Sequence, residues 1–140
     1  MREWIKHNIL YVSFLQALVA TTSSLFFSEI LHFTPCVLCW YQRICMYPLV
    51  IILAIGILKK DKLTSLYVLP LSLIGLVVSI YQNLLVFGII PEAISPCSIG
   101  VSCTTKYFEY FGFITIPFLS LLSFVVIITC MLLYKRYNTK

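Results

Sequence analysis

Charge is scarce in this sequence, and acid scarcer still: 5 Asp and Glu stand against 10 Lys and Arg, and 11% of its 140 residues are charged while 61% are hydrophobic. A soluble domain carries about 25% charged residues, so too little polar surface is available here to cover a core, and a soluble fold is excluded. Glycine is sparse as well, with 5 in the chain and none forming a nucleotide-binding loop. Internal repeats and low-complexity tracts are absent. The only histidines, His7 and His32, have no ligand partner near them and read as interfacial, while Glu29 and Glu92 read as loop charges.

What is present is apolar length. Four stretches, at about 9–27, 40–58, 66–87 and 113–134, approach the ~20 residues that cross a bilayer as helix. They occupy nearly the whole chain, so the reading is an all-α membrane protein, a four-transmembrane-helix bundle forming a single domain over 1–140. The net charge of +5 is distributed as a topology signal and not as a nucleic-acid surface. Arg2 and Lys6 precede the first stretch, Lys59, Lys60 and Lys62 separate the second from the third, and Lys135, Arg136 and Lys140 follow the fourth. The opposite connections carry Lys106, with Arg43 near the start of the second stretch. The positive-inside bias then predicts cytoplasmic termini and two short extracytoplasmic loops. The first stretch exceeds the ~7–15 residues of a signal-peptide core and lacks a clear cleavage site, so it is expected to stay. Its Thr21-Thr22-Ser23-Ser24 patch is expected to be a helix-packing surface, because small hydroxyl residues let membrane helices approach.

Both outward loops carry a close pair of cysteines: Cys36 with Cys39, and Cys97 with Cys103. Outside the cytoplasm disulfides form and persist, and two thiol pairs on one face are what a thiol–disulfide relay requires. In the run Thr34-Pro35-Cys36-Val37-Leu38-Cys39-Trp40-Tyr41-Gln42-Arg43, Thr34 suits a helix cap and Pro35 a first helical position. Cys36 would then lie in the first turn, where free N–H groups and the helix dipole favour a thiolate. Helical spacing puts Cys36, Cys39 and Arg43 on one stripe. An arginine one turn into a membrane helix is costly; it either snorkels to headgroups or holds an anionic or electron-accepting group beside Cys39. A structural disulfide or a zinc site using all four outer cysteines is the alternative use of the Cys-x-x-Cys.

The run from Pro35 to Arg43 resembles the signature of the DsbB family of membrane thiol–quinone oxidoreductases. The run from Cys97 to Pro117 is similar to that family's second outer loop, in the short-loop form of its BdbC branch. The resemblance covers the whole chain. It implies disulfides Cys36–Cys39 and Cys97–Cys103, no metal, and a quinone (menaquinone or ubiquinone) as electron acceptor. It further implies that Cys39 contacts the quinone and that Arg43 stabilises both the quinone and the Cys39 thiolate. Gln42 receives no role; Tyr81, Gln82 and Asn83 lie at a similar depth, and Gln82 is a candidate quinone contact. The implied partner is a DsbA-like, thioredoxin-fold thiol oxidase that attacks Cys97, and the implied location is the bacterial plasma membrane.

A disulfide closing so short a loop as Cys97–Cys103 would add little stability, which suits exchange better than stapling. The following 104–111 segment, rich in Tyr and Phe, reads either as a short interfacial helix or as packing against the bundle. Cys45 and Cys130 read as apolar packing residues. Two rivals stand beside this reading. One is a scaffold stapled by two disulfides. The other is a vitamin K epoxide reductase-like enzyme, against which the order of the cysteine pairs argues.

Overall fold

The computed structural model describes residues 1–94 and 115–140. Its helices are α1 (Arg2–Glu29), α2 (Val37–Lys59), α3 (Thr64–Val86) and α4 (Ile116–Thr139), with a single 3-10 turn at Glu92–Ile94, and no strand occurs among the described residues. All four helices are long and apolar enough to cross a membrane. Each packs on the next and α4 returns to α1, closing a four-helix bundle. The Cys97–Cys103 pair and the 104–111 aromatic segment lie outside the described residues, as does the expected start of the fourth span at Phe113.

The bundle inverts the soluble pattern. Ser13, Gln42, Ser72, Ser79, Gln82 and Asn83 are buried, whereas Val12, Leu15, Ile44, Ile51, Ile74, Val77 and Leu122 face outward. Lipid tails cannot hydrogen-bond, so polar side chains are better satisfied between helices, and apolar ones lose nothing by facing the bilayer. The apolar core, built on Leu49, Leu53, Val68, Phe124, Ile127 and Met131, includes Cys45, with Cys130 packed against it. Gly75 of α3 lies directly under the Phe124 ring of α4, where a Cβ would have no room. Close approach at small residues is how membrane helices gain packing energy.

Side-chain bonds fix the helix directions. Gly56 near the end of α2 meets Thr64 at the start of α3. Lys60 caps α2 in the left-handed region (φ 52°), its N–H bonding the Gly56 carbonyl. Asp61 then organises the turn, accepting the Leu63 N–H at 2.9 Å on Oδ1 and the Thr64 hydroxyl at 2.9 Å on its carbonyl. From α4, Tyr134 Oη donates to the Asp61 carbonyl and Asn138 Nδ2 to that of Lys62, each at 3.2 Å. The helices thus alternate in direction. One end gathers Lys6, Lys60 and Lys62 with Tyr134 and Asn138. The other end holds Cys36 and Cys39 beside Gln82 of α3.

Two local expectations change. The helix after Pro35 begins at Val37, with Cys36 as its cap in an extended conformation (φ −77°, ψ 173°). Pro35 therefore precedes the cap, and the first i→i−4 bond runs from the Trp40 N–H to the Cys36 carbonyl at 3.1 Å. Cys39, and not Cys36, therefore lies in the first turn, while the N–H groups of Leu38 and Cys39 reach back to the Cys36 sulphur. The Thr21-Thr22-Ser23-Ser24 patch meets a neighbouring helix through Ser24, which accepts two bonds from Arg43 of α2, and is otherwise not a packing surface. Thr22 is exposed and bonds its own helix, whereas Thr21, Ser23 and Ser24 line a cavity. The close-packed face of α1 is Ser13 and Ala17, both fully buried.

Candidate functional site

The cysteine pair sits at the wall of a cavity of about 370 Å³ bounded by all four helices and the α1–α2 connection. Cys36 and Cys39 stand as thiols with their sulphurs 3.2 Å apart, Cys36 donating. The extended cap conformation makes this possible, because it turns the Cys36 side chain back over the first turn of α2. Leu38, Leu85, Val78 and Tyr81 form a small apolar cluster around the pair. The hydrogen bond to Cys39, and burial after it, push the Cys36 thiol up, so Cys36 is the member that keeps its proton.

Cys39 receives a second donor. Gln82 Nε2 of α3 lies 3.2 Å from the Cys39 sulphur and 3.4 Å from that of Cys36. Its Oε1 accepts from Gln42 Nε2 at 2.6 Å. Gln42 Oε1 in turn accepts the Ser120 hydroxyl at 2.6 Å, and Ser120 meets the Ser79 hydroxyl at 3.1 Å. A continuous polar chain thus runs from the sulphurs through α3 and α2 to α4. Gln82 does line the cavity, but its amide hydrogens point at sulphur. Tyr81 packs into the apolar cluster. Asn83 turns away and donates to the Ser79 carbonyl at 2.8 Å and the Pro117 carbonyl at 3.0 Å.

Arg43 is turned into the bundle, 9% exposed, and not out to the headgroups. Its Nε donates to Ser24 Oγ at 2.8 Å and its Nη2 to the Ser24 carbonyl at 2.9 Å, both on α1. The guanidinium carbon lies 5.4 Å from the centroid of the Trp40 ring. Among the described residues the one ion pair is Lys6–Glu3, so no carboxylate compensates this buried cation. Arg43 and Cys39 line the same cavity.

The cavity also contains unused polar groups. The hydroxyls of Thr21 and Thr115 are buried, line it, and have no hydrogen-bond partner among the described residues. Its remaining walls are mostly apolar, from Val19, Phe27, Phe33, Met46, Val86, Ile116 and Leu119, with Gln16, Ser23, Ser28, Tyr47 and Ser123 among them. Ligand sites of this kind have about 300–1,000 Å³, mostly apolar walls and a few polar groups. A flat ring with carbonyl oxygens fits that donor set: one cation, free hydroxyls and a sulphur at the wall.

Sequence reasoning named Cys36, Cys39, Arg43 and Gln82, and the structure brings all four together. It had no role for Gln42, gave Ser24 only a place in the packing patch of the first span, and passed over Ser120. The available signal was hydroxyl and amide residues inside otherwise apolar spans. What it could not give was which of them meet across helices.

The family model described as disulfide bond formation protein DsbB matches residues 6–134. The chain is 46% identical over 138 residues to probable disulfide formation protein C 2 of Bacillus cereus, covering 99% of each chain. It is 51% identical over 128 residues to disulfide bond formation protein C of Bacillus subtilis, covering 90% of this chain and 91% of that one. To probable disulfide formation protein C of Halalkalibacterium halodurans it is 48% identical over 130 residues, covering 92% and 94%. No solved structure matches.

Proposed function

Because the chain belongs to the family of disulfide bond formation protein DsbB, and is thereby a multi-pass membrane oxidoreductase supporting disulfide formation, we propose that it is a thiol–quinone oxidoreductase. In this reading it reoxidises an extracytoplasmic, DsbA-like thiol oxidase and delivers the electrons to a membrane quinone. The basic end of the bundle faces the cytoplasm of a bacterial cell, and the cysteine end faces outward. One observation carries the reading: two sulphurs 3.2 Å apart stand at the wall of a largely apolar cavity that also holds a buried guanidinium with no carboxylate partner among the described residues.

The chemistry divides between two thiol pairs. Cys97–Cys103 is the outer disulfide, attacked by the partner's thiolate at Cys97 to give a mixed disulfide. Cys103 is released by that attack, and a second partner thiol then frees Cys97 and the oxidised partner. The reduced loop pair is reoxidised by exchange with the Cys36–Cys39 disulfide, which leaves those two as the thiols seen here. Cys36 keeps its proton and directs it, as a hydrogen bond, at the Cys39 sulphur. Cys39 carries the developing charge in the first turn of α2, toward the positive end of the helix dipole and in the same cavity wall as Arg43. Arg43, with the Thr21 and Thr115 hydroxyls, would hold the carbonyl oxygens of a quinone, menaquinone or ubiquinone, against this wall. The quinone, when bound, supplies a two-electron, two-proton acceptor. The apolar walls exclude water, which keeps charge on sulphur close to the donors that stabilise it.

The division of labour is tested by trapping. Cys103→Ala leaves Cys97 as a lone thiol, and after oxidation with a small disulfide it is expected to accumulate a Cys97 mixed disulfide with a partner that retains only its attacking cysteine. Non-reducing electrophoresis with mass spectrometry detects it. Cys36→Ala should accumulate none through Cys97. A partner adduct found at Cys39 in place of Cys97 would reverse the assigned order of the pairs.

A further inference from the structure

Gln82 is 2% exposed, and its amide lies between the two sulphurs and a second buried amide. Its orientation follows from the chain behind it. With Nε2 toward sulphur, Oε1 must accept from Gln42, and Gln42 Oε1 must accept from Ser120. Turning either amide alone would set like groups face to face across a contact of 2.6 Å. Only reversal of every member restores the pairing, and that would aim the Gln82 carbonyl oxygen at a sulphur that is losing its proton. Charge on sulphur therefore selects the orientation seen here. The Cys39 sulphur accepts from the side chains of both Cys36 and Gln82, each at 3.2 Å; Cys36, which accepts from Gln82 at 3.4 Å and from the backbone N–H groups of Leu38 and Cys39, spends its own proton on Cys39. Hydrogen bonds to an ionised acceptor are about twice as strong as neutral ones, and in an apolar wall they are not diluted by water.

We propose that Gln82 is a catalytic residue of the cysteine pair, donating to the Cys39 sulphur as it becomes anionic, and that Gln42 and Ser120 are positioning residues that hold its amide in place. This rests on the thiol–quinone reading of the same site but assigns Gln82 to sulphur and not to the quinone. It also explains why an apolar bundle buries Gln42 and Gln82 side by side. A lone buried amide would be costly; two amides locked head to tail against a hydroxyl and two sulphurs are satisfied.

The test is the reactivity of Cys39 in the reduced, full-length protein in lipid discs, with neither quinone nor partner present. Iodoacetamide alkylation is followed across pH by residue-resolved mass spectrometry. Gln82→Met keeps the length and removes the donor; it is expected to slow Cys39 alkylation at neutral pH by about tenfold and to move its pH profile upward. Gln82→Glu, an acceptor beside an anion, should slow it further. Gln42→Leu should give a smaller effect, roughly threefold, because Gln82 keeps its donor but loses its hold. Cys130, remote from the chain, is the internal reference. Cys39 alkylation within about twofold of the parent in Gln82→Met overturns the proposal, since a lost hydrogen bond to a charged group costs more than that. Should Gln82→Met fail to fold, Gln42→Leu and Ser120→Ala decide, and unchanged alkylation in both overturns it. The outcome is separable from the underlying reading: Cys39→Ser that still reduced quinone would end the thiol–quinone reading whatever the alkylation profiles show.

Discussion

Replacing Cys39 with Ser is expected to lower quinone reduction by at least about a thousandfold, the scale seen when a reacting nucleophile is removed. The size of the effect follows from what meets at this one sulphur. It accepts the Cys36 thiol and the Gln82 amide, occupies the first turn of α2, and lines the cavity with Arg43. A serine hydroxyl fits the same space but cannot form a disulfide or carry the charge near neutral pH. Attack of the partner on Cys97–Cys103 should continue in this variant, so that partner and outer loop exchange while no electrons reach the quinone. Stopped-flow quinone absorbance, with partner thiols counted in the same samples, reads both halves. Retention of quinone reduction within about tenfold of the parent would remove Cys39 from the reaction.

Arg43→Ala is the second large effect, expected to lower kcat/KM for quinone by about 30- to 100-fold with most of the change in KM. The side chain supplies a buried charge without a carboxylate partner among the described residues, held by two bonds to Ser24. Exchange between Cys97–Cys103 and the partner should stay near the parent rate. Arg43→Lys should recover only part of the loss. An ammonium keeps the charge but lacks the fork that bonds Ser24 Oγ and the Ser24 carbonyl together. Ser24→Ala removes one of those two bonds and should raise quinone KM by roughly threefold. Steady-state kinetics at varied quinone check all three variants. Unaltered quinone kinetics in Arg43→Ala would make the residue a structural tie between α1 and α2.

Much of this molecule can be read from its residues because a bilayer leaves few choices. Apolar runs near the length of a membrane span must be helices, and the clusters at Arg2–Lys6, Lys59–Lys62 and Lys135–Lys140 mark one end. The resemblance to the DsbB family supplied the pairing of Cys36 with Cys39 and the inward role of Arg43; spacing alone left Arg43 open between headgroups and the site, and the sulphurs meet through the extended cap at Cys36, not through helical register. The helix start was harder, because proline is at home both at the first helical position and just before the cap; the structure takes the second option and thereby gives the first turn to Cys39. The partners of the site were not legible at all. Ser24 for Arg43 and Ser120 for Gln42 lie 19 and 78 residues away on other helices, and neither spacing nor composition encodes such meetings. Gln82 shows the same limit in milder form: its depth was evident from sequence, but which atom its amide would reach depended on the register of α3 against α2.

The most direct measurement is an anaerobic single turnover of the full-length protein with a reduced thioredoxin-like partner and a soluble quinone. Partner thiols and quinone absorbance are followed together. Starting from protein with both disulfides formed and quinone in excess, one quinone should be reduced for each partner dithiol oxidised; without partner no quinone should be reduced, and without quinone partner oxidation should stop at what the protein's own disulfides can accept. Oxidation of the partner with no matching loss of quinone, continuing to completion under nitrogen, would contradict the thiol–quinone assignment.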